Sequence, residues 1–165
     1  MRKLFLLALA VFFLAGCGFH LRGAVDLPFE TVYVNGGGYP DIKATLENAL
    51  RTGSGVKVLT GPEKAEVVVT ILGASTEKRI LSLGGTGKVR EYQLIYRLSF
   101  STTYNGKPSI APQQIELQRD MTYDDTQVLA KQQEEALLYQ NMKDDATFQL
   151  LRRLKGATQT LKEAD

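Results

Sequence analysis

Between Glu91 and Ser101 the chain reads EYQLIYRLSFS, and large apolar or aromatic side chains fall on every second position: Tyr92, Leu94, Tyr96, Leu98 and Phe100. Successive side chains of a strand point to opposite faces. This stretch therefore commits one face of a sheet to a core and leaves the other, carrying Glu91, Gln93, Ile95, Arg97 and Ser99, mostly to water. A strand patterned this way belongs to a largely antiparallel sheet covered on one side only.

The cover has to be helical, and two segments carry a helical period. Asp41, after Pro40, is read as the N-cap of a helix with Ile42, Leu46, Ala49 and Leu50 on one face and Gly53 or Gly55 as its stop. From Thr126 to Leu154 the residues Leu138, Met142, Ala146, Leu150 and Leu154 recur four apart. Further strands are expected at Thr31–Val34, at Val56–Leu59, at Ala65–Leu72, and in a segment with Ile115, Leu117, Met121 and Tyr123 on one face. Arg119 breaks that last pattern. Turns fall at the NGGGYP stretch after Val34 and at Asn105-Gly106-Lys107-Pro108. The simplest architecture burying all these faces is an α+β fold, two helices packed on one face of a mostly antiparallel four- to five-stranded sheet.

The start of the chain is of another kind. Arg2 and Lys3 precede an unbroken apolar run from Leu4 to Leu14, the pattern of an export signal, and far short of the roughly 20 residues that span a bilayer. The run ends in Leu14-Ala15-Gly16-Cys17, a lipobox. There the Cys17 thiol takes a diacylglycerol thioether, the signal is removed before it, and the new amino terminus is acylated. No other cofactor is expected. Cys17 is the only cysteine, so no internal disulfide can form, and lipidation removes the odd thiol. His20, the only histidine, then sits on a tether beside the bilayer, an unsuitable place for a Cys/His catalytic pair or a metal site. Gly18, not Asp, follows the cysteine, which by the usual sorting preference directs the protein to the outer membrane. The organisation read is a signal peptide 1–16, a lipid-anchored tether 17–27, one domain 28–156, and a polar tail 157–165 expected to fray.

Charge excludes more than it assigns. The 20 Lys and Arg face 18 Asp and Glu, and the loss of Arg2 and Lys3 with the signal leaves 18 against 18, so nothing argues for a nucleic-acid partner. The distribution is uneven: Lys78, Arg79, Lys88, Arg90 and Arg97 lie in one stretch against Glu91 alone, whereas Asp120 to Asp145 holds seven acids against Lys131 and Lys143. A polarised surface is expected. GGTGK, Gly84 to Lys88, lacks the Ser or Thr and the helix that a phosphate loop requires, and reads as a hairpin tip. The pairs Asp124/Asp125, Glu134/Glu135 and Asp144/Asp145 read as capping near Thr126 and a solvated helix face, since adjacent helix residues do not converge. No catalytic set is present, so the chain is not expected to be an enzyme. The basic hairpin is either a solvated edge that discourages strand addition or an anion site.

Cys17-Gly18-Phe19-His20-Leu21-Arg22 resembles the processed start of the LPS-assembly lipoprotein family LptE, in which Trp or Phe follows Cys-Gly and precedes His-Leu-Arg. Glu91-Tyr92-Gln93-Leu94 is similar to the family's central strand, VLAKQQEE (Val128 to Glu135) to the start of its long C-terminal helix, and LLRRL (Leu150 to Leu154) to that helix's end. The resemblance implies an outer-membrane, lipid-anchored protein that sits as a heterodimer inside the β-barrel LptD, assists the barrel's assembly and binds lipopolysaccharide. By position it assigns Lys131 to lipopolysaccharide binding and places the family's second implicated residue, an arginine, on Gly85. Lys88 and Arg90, on the same hairpin, are the cations available to take over that charge, with Lys88 and Lys131 both expected at exposed ends of their elements. The alternative is a free periplasm-facing lipoprotein that binds a small ligand or cell wall.

Overall fold

The computed structural model describes residues 26–164. The signal segment 1–16, Cys17, His20 and all of the tether 17–27 but its last two residues lie outside the described residues. The chain runs β1 (Thr31–Asn35), α1 (Pro40–Gly53), β2 (Lys57–Leu59), β3 (Val67–Leu83), β4 (Val89–Tyr104), β5 (Lys107–Thr122) and α2 (Val128–Ala164). The five strands form one sheet in the order β2-β1-β3-β4-β5. β3, β4 and β5 are an antiparallel meander, while β1 pairs in parallel with both β2 and β3.

Alternation places the core as expected. Leu94, Leu98 and Phe100 of β4 are fully buried and Tyr96 is 5% exposed. They join Val32, Val34, Val67, Val69, Ile115 and Met121 in one cluster with Ile42, Leu46 and Leu50 of α1 and Met142, Ala146, Leu150 and Leu154 of α2. Both helices therefore cover the same face. Arg119 faces α2 and reaches Asp145 with Nη2 3.0 Å from Oδ2, so the break in the β5 pattern is an ion pair to the covering helix.

β3 is twice as long as its β-branched run. A bulge between Ile71 and Gly73 inserts Leu72 and shifts the alternation, after which Ala74, Thr76, Lys78 and Ile80 face the helices opposite Leu98, Tyr96, Leu94 and Tyr92. The hairpin it forms with β4 ends at Gly84–Lys88 as expected, Gly84 N donating to Lys88 O at 2.7 Å, with Gly87 at φ +77°. At the other end Asn105 and Gly106 both take positive φ, 48° and 78°, the requirement of a two-residue turn between β4 and β5.

Two helix ends differ from the sequence reading. α1 starts at Pro40 with Tyr39 in the cap position and no side-chain cap. Pro40 is suited to the first helical position because its φ is preset and its missing N–H would have lacked a partner there. Asp41, expected as the cap, lies inside the first turn and accepts from Lys143 Nζ of α2 at 2.8 Å. The tail does not fray: α2 continues to Ala164, with Ala157 packed on the core and Thr158 1% exposed, its hydroxyl bonded to Leu154 O at 2.7 Å. No helix among the described residues is long and apolar enough to cross a membrane.

Candidate functional site

The two long strands carry Lys88 and Arg90 to the end of the sheet farthest from β2, and the bend from β5 into α2 meets them there. Asp124 builds that bend, its Oδ1 accepting from Thr126 N at 2.9 Å and Thr126 Oγ1 at 2.7 Å. Those two hydrogen bonds hold the Asp124 carboxyl below its ordinary range.

The three cations assigned from sequence converge on this bend. Lys88 Nζ lies 2.6 Å from Asp125 Oδ2, and that partner raises its pKa and keeps it protonated. The Arg90 carbonyl accepts from Tyr123 N at 2.7 Å, and Arg90 itself borders an open cavity of about 460 Å³ with Ser82, Leu83, Glu91, Thr122 and Tyr123. Lys131 Nζ donates to Thr122 Oγ1 at 3.2 Å and Glu134 Oε2 at 2.8 Å. Lys88 is 70% exposed, as expected, but Lys131 is only 16% exposed because its stem lies along the bend. At Gly85 a Cβ would meet nothing within 4 Å, and φ there is not positive, so the position is sterically open to a side chain.

Sequence reading missed Lys78 as a member of this site. It faces the helices from β3, with Nζ 2.6 Å from Glu135 Oε2 and 4.2 Å from the Tyr92 ring centre. Tyr92 and Tyr123 pack edge to face at 5.1 Å beneath it. The available signal was Lys78 sharing the parity of Ala74, Thr76 and Ile80, a signal hidden by the bulge at Leu72.

The uneven charge along the chain does not become a polarised surface. The basic and acidic stretches fold against each other as Lys88–Asp125 and Lys78–Glu135, and Arg119 of β5 takes Asp145. Of the acid pairs, Asp124 caps near Thr126 as expected, while Asp125, Glu134, Glu135 and Asp145 are partners of cations and not merely a solvated face. What stands out at this end is apolar: Ile80 (58% exposed), Leu81 and Leu83 on β3, with Val128 and Leu129 (70% exposed) at the start of α2. Cations in solvent-screened pairs beside exposed aliphatic side chains can meet the charged and apolar parts of one amphiphile together.

The LptE, lipopolysaccharide-assembly, family model matches residues 29–154. The LPS-assembly lipoprotein LptE of Yersinia enterocolitica is 31% identical over 153 residues, 90% of this chain and 73% of the relative. The solution NMR structure of an uncharacterized lipoprotein B from Nitrosomonas europaea superposes with a TM-score of 0.74 at 40% identity, covering 86% of this chain and 93% of the other. The crystal structure of the rare lipoprotein B from Shewanella oneidensis gives 0.72 at 28% identity, covering 81% and 99%.

Proposed function

The chain belongs to the lipopolysaccharide-assembly family LptE, and from that premise we propose that it is an outer-membrane lipoprotein, anchored through Cys17, that sits in the lumen of the β-barrel LptD, assists that barrel's assembly and binds lipopolysaccharide at its hairpin tip. The observation that supports tip binding is the convergence of Lys88, Arg90 and Lys131 on the Thr122–Asp125 bend beside Ile80, Leu81, Leu83, Val128 and Leu129.

Charge and exposure favour exchange of partners. The carboxylates that hold Lys88 and Lys131 are themselves 51% and 44% exposed, so solvent screens these pairs and each adds little. A phosphate group brings more charge and more acceptor oxygens than one carboxylate. A phosphorylated lipid can therefore take these cations from Asp125 and Glu134, and its acyl chains cover apolar surface at about 25 cal/mol per Å². Acyl chains on Cys17, at roughly 0.8 kcal/mol per buried CH₂, keep the domain at the membrane.

Lipopolysaccharide binding by the purified lipoprotein tests the tip. Lys88→Glu combined with Lys131→Gln, the neutral change chosen because Lys131 is half-buried among Thr122 and Glu134, is expected to weaken binding at least tenfold with the melting curve intact. Gly85→Arg, which adds a cation where the backbone leaves room, is expected to strengthen it. A folded double variant that binds like wild type overturns the assignment.

A further inference from the structure

About 25 Å along β3 from the tip, in the seam between β3 and the two helices, a cavity of about 290 Å³ is lined by Tyr39, Asp41, Ser75, Thr76, Tyr96 and Lys143 among others. Two of its polar groups have hydrogen-bonding capacity that no described residue takes up. Tyr96 is 5% exposed as a residue, and its hydroxyl, bonded to no described residue, borders this cavity and meets solvent through it; a ligand hydroxyl can supply the partner that a phenol ordinarily finds. Lys143 is 15% exposed, and its ammonium, with three donors to place, has one partner among the described residues, the Asp41 carboxylate at 2.8 Å, which is itself 88% exposed. Burial, reinforced by the Asp41 charge, pushes the Tyr96 hydroxyl up to about 12, so it stays a neutral donor.

We propose that this cavity binds one hydroxyl-bearing ring of a saccharide. Its volume is near the lower end for ligand sites and admits a single ring. The Asp41–Lys143 pair makes the site electrically neutral, so an anion would have to compete with Asp41, whereas a neutral polyol needs no such displacement. Acceptor and donor lie side by side, the pattern that two adjacent hydroxyls satisfy, one donating to Asp41 and its neighbour accepting from Lys143. A third hydroxyl meets Tyr96, and the rings of Tyr39 and Tyr96 supply apolar wall for the carbon framework. Nothing in this site depends on the tip cations, so it goes beyond the reading of the tip. The same ring chemistry occurs in cell-wall saccharide and in the sugars of a glycolipid.

The test is an amide-shift titration of the full lipoprotein in a detergent without a sugar headgroup. The two probes are methyl N-acetylglucosaminide and deacylated lipopolysaccharide oligosaccharide. Saturable shifts are expected at Gly38–Ile42, Ala74–Thr76 and Lys143, unaffected by Lys88→Glu, so failure here and failure at the tip are separable. Tyr96→Phe is expected to weaken the interaction about three- to tenfold by removing one hydroxyl. Asp41→Asn, which removes the charge while keeping an acceptor for Lys143, is expected to do likewise, with its melting curve measured alongside. The probe that binds more tightly identifies the source as cell wall or glycolipid, and either result supports the site. Absence of saturable shifts with both probes, or undiminished binding in both variants, overturns it.

Discussion

Ile95 points to the open face of the sheet yet is only 1% exposed. It is flanked across the ladder by Glu77 and Gln118 and roofed by a polar chain over three strands. Glu77 accepts from Arg79 and from Arg97 Nη1 at 2.6 Å, Arg97 Nε donates to Glu116 at 2.6 Å, and Gln118 donates to Glu116 at 2.8 Å. These groups are partly exposed, so each pair adds little by itself; their long stems covering an apolar side chain matter more. The Arg79 hydrogen bond, then that of Arg97, holds the Glu77 carboxyl at about 2. A carboxyl lowered on folding contributes stability that is present above its ordinary value near 4.5 and is lost as the pH falls through that window towards about 2. Glu116 and Asp124 are lowered too and act in the same direction. Thermal unfolding followed from neutral pH down to about 2 is expected to show Glu77→Gln melting below wild type at neutral pH and losing less on acidification. Parallel pH profiles for the two proteins would sink this account.

At the scale of elements, legibility in the sequence followed how local each determinant was. β4 and its turn at Asn105-Gly106 were readable because alternation and positive φ are properties of adjacent residues. α1 was readable from Ile42, Leu46 and Leu50. The parallel pairing of β1 with β3, Val32 opposite Val67, joins segments 35 residues apart and leaves no local trace. The second half of β3 was masked by the bulge, and with it the place of Lys78. Lys88, Arg90 and Lys131 lie at one end of the fold, while the Asp125 carboxylate that meets Lys88 and the cavity at Tyr96 depend on packing between distant elements; Glu134, the partner of Lys131, is only three residues along the same helix. The polar C-terminus misled because its composition hides two contacts that continue the stripe of Leu154: partly buried Ala157 and buried Thr158. Removing residues 157–165 is accordingly expected to destabilise the domain by on the order of 2 kcal/mol, lowering Tm by roughly 5 °C for a domain of this size. A fraying tail would leave the calorimetric Tm unchanged.

For the whole molecule, the length of β3 sets the geometry of function. The chain enters the described fold at Asp26, and its first segment is bound to the end of the meander that holds the β4–β5 turn: Glu30 N donates to Glu66, and Asn105 N donates to Glu66 O at 2.7 Å. The tip lies at the far end of a strand of 17 residues, about 55 Å away at roughly 3.3 Å per residue. Cys17 stands nine residues before Asp26, a reach of at most about 30 Å. If the proposed acyl anchor on Cys17 holds, the cations and aliphatic side chains of the tip stand at the end of the domain opposite the point where the tether joins it. This separation is what the proposed place in a barrel lumen requires if lipid is bound at the tip. Photoreactive residues placed in living cells at Gly85, which has open space around it, and at exposed Lys107 on the opposite end test this directly. After irradiation and detergent extraction, the lipoprotein is expected to emerge with one large barrel, carrying lipopolysaccharide adducts at position 85 and none at position 107. Equal labelling at both ends would remove the directional reading, and extraction of the lipoprotein without any barrel would remove the lumen from the proposal while leaving the tip to be judged by its own binding measurements.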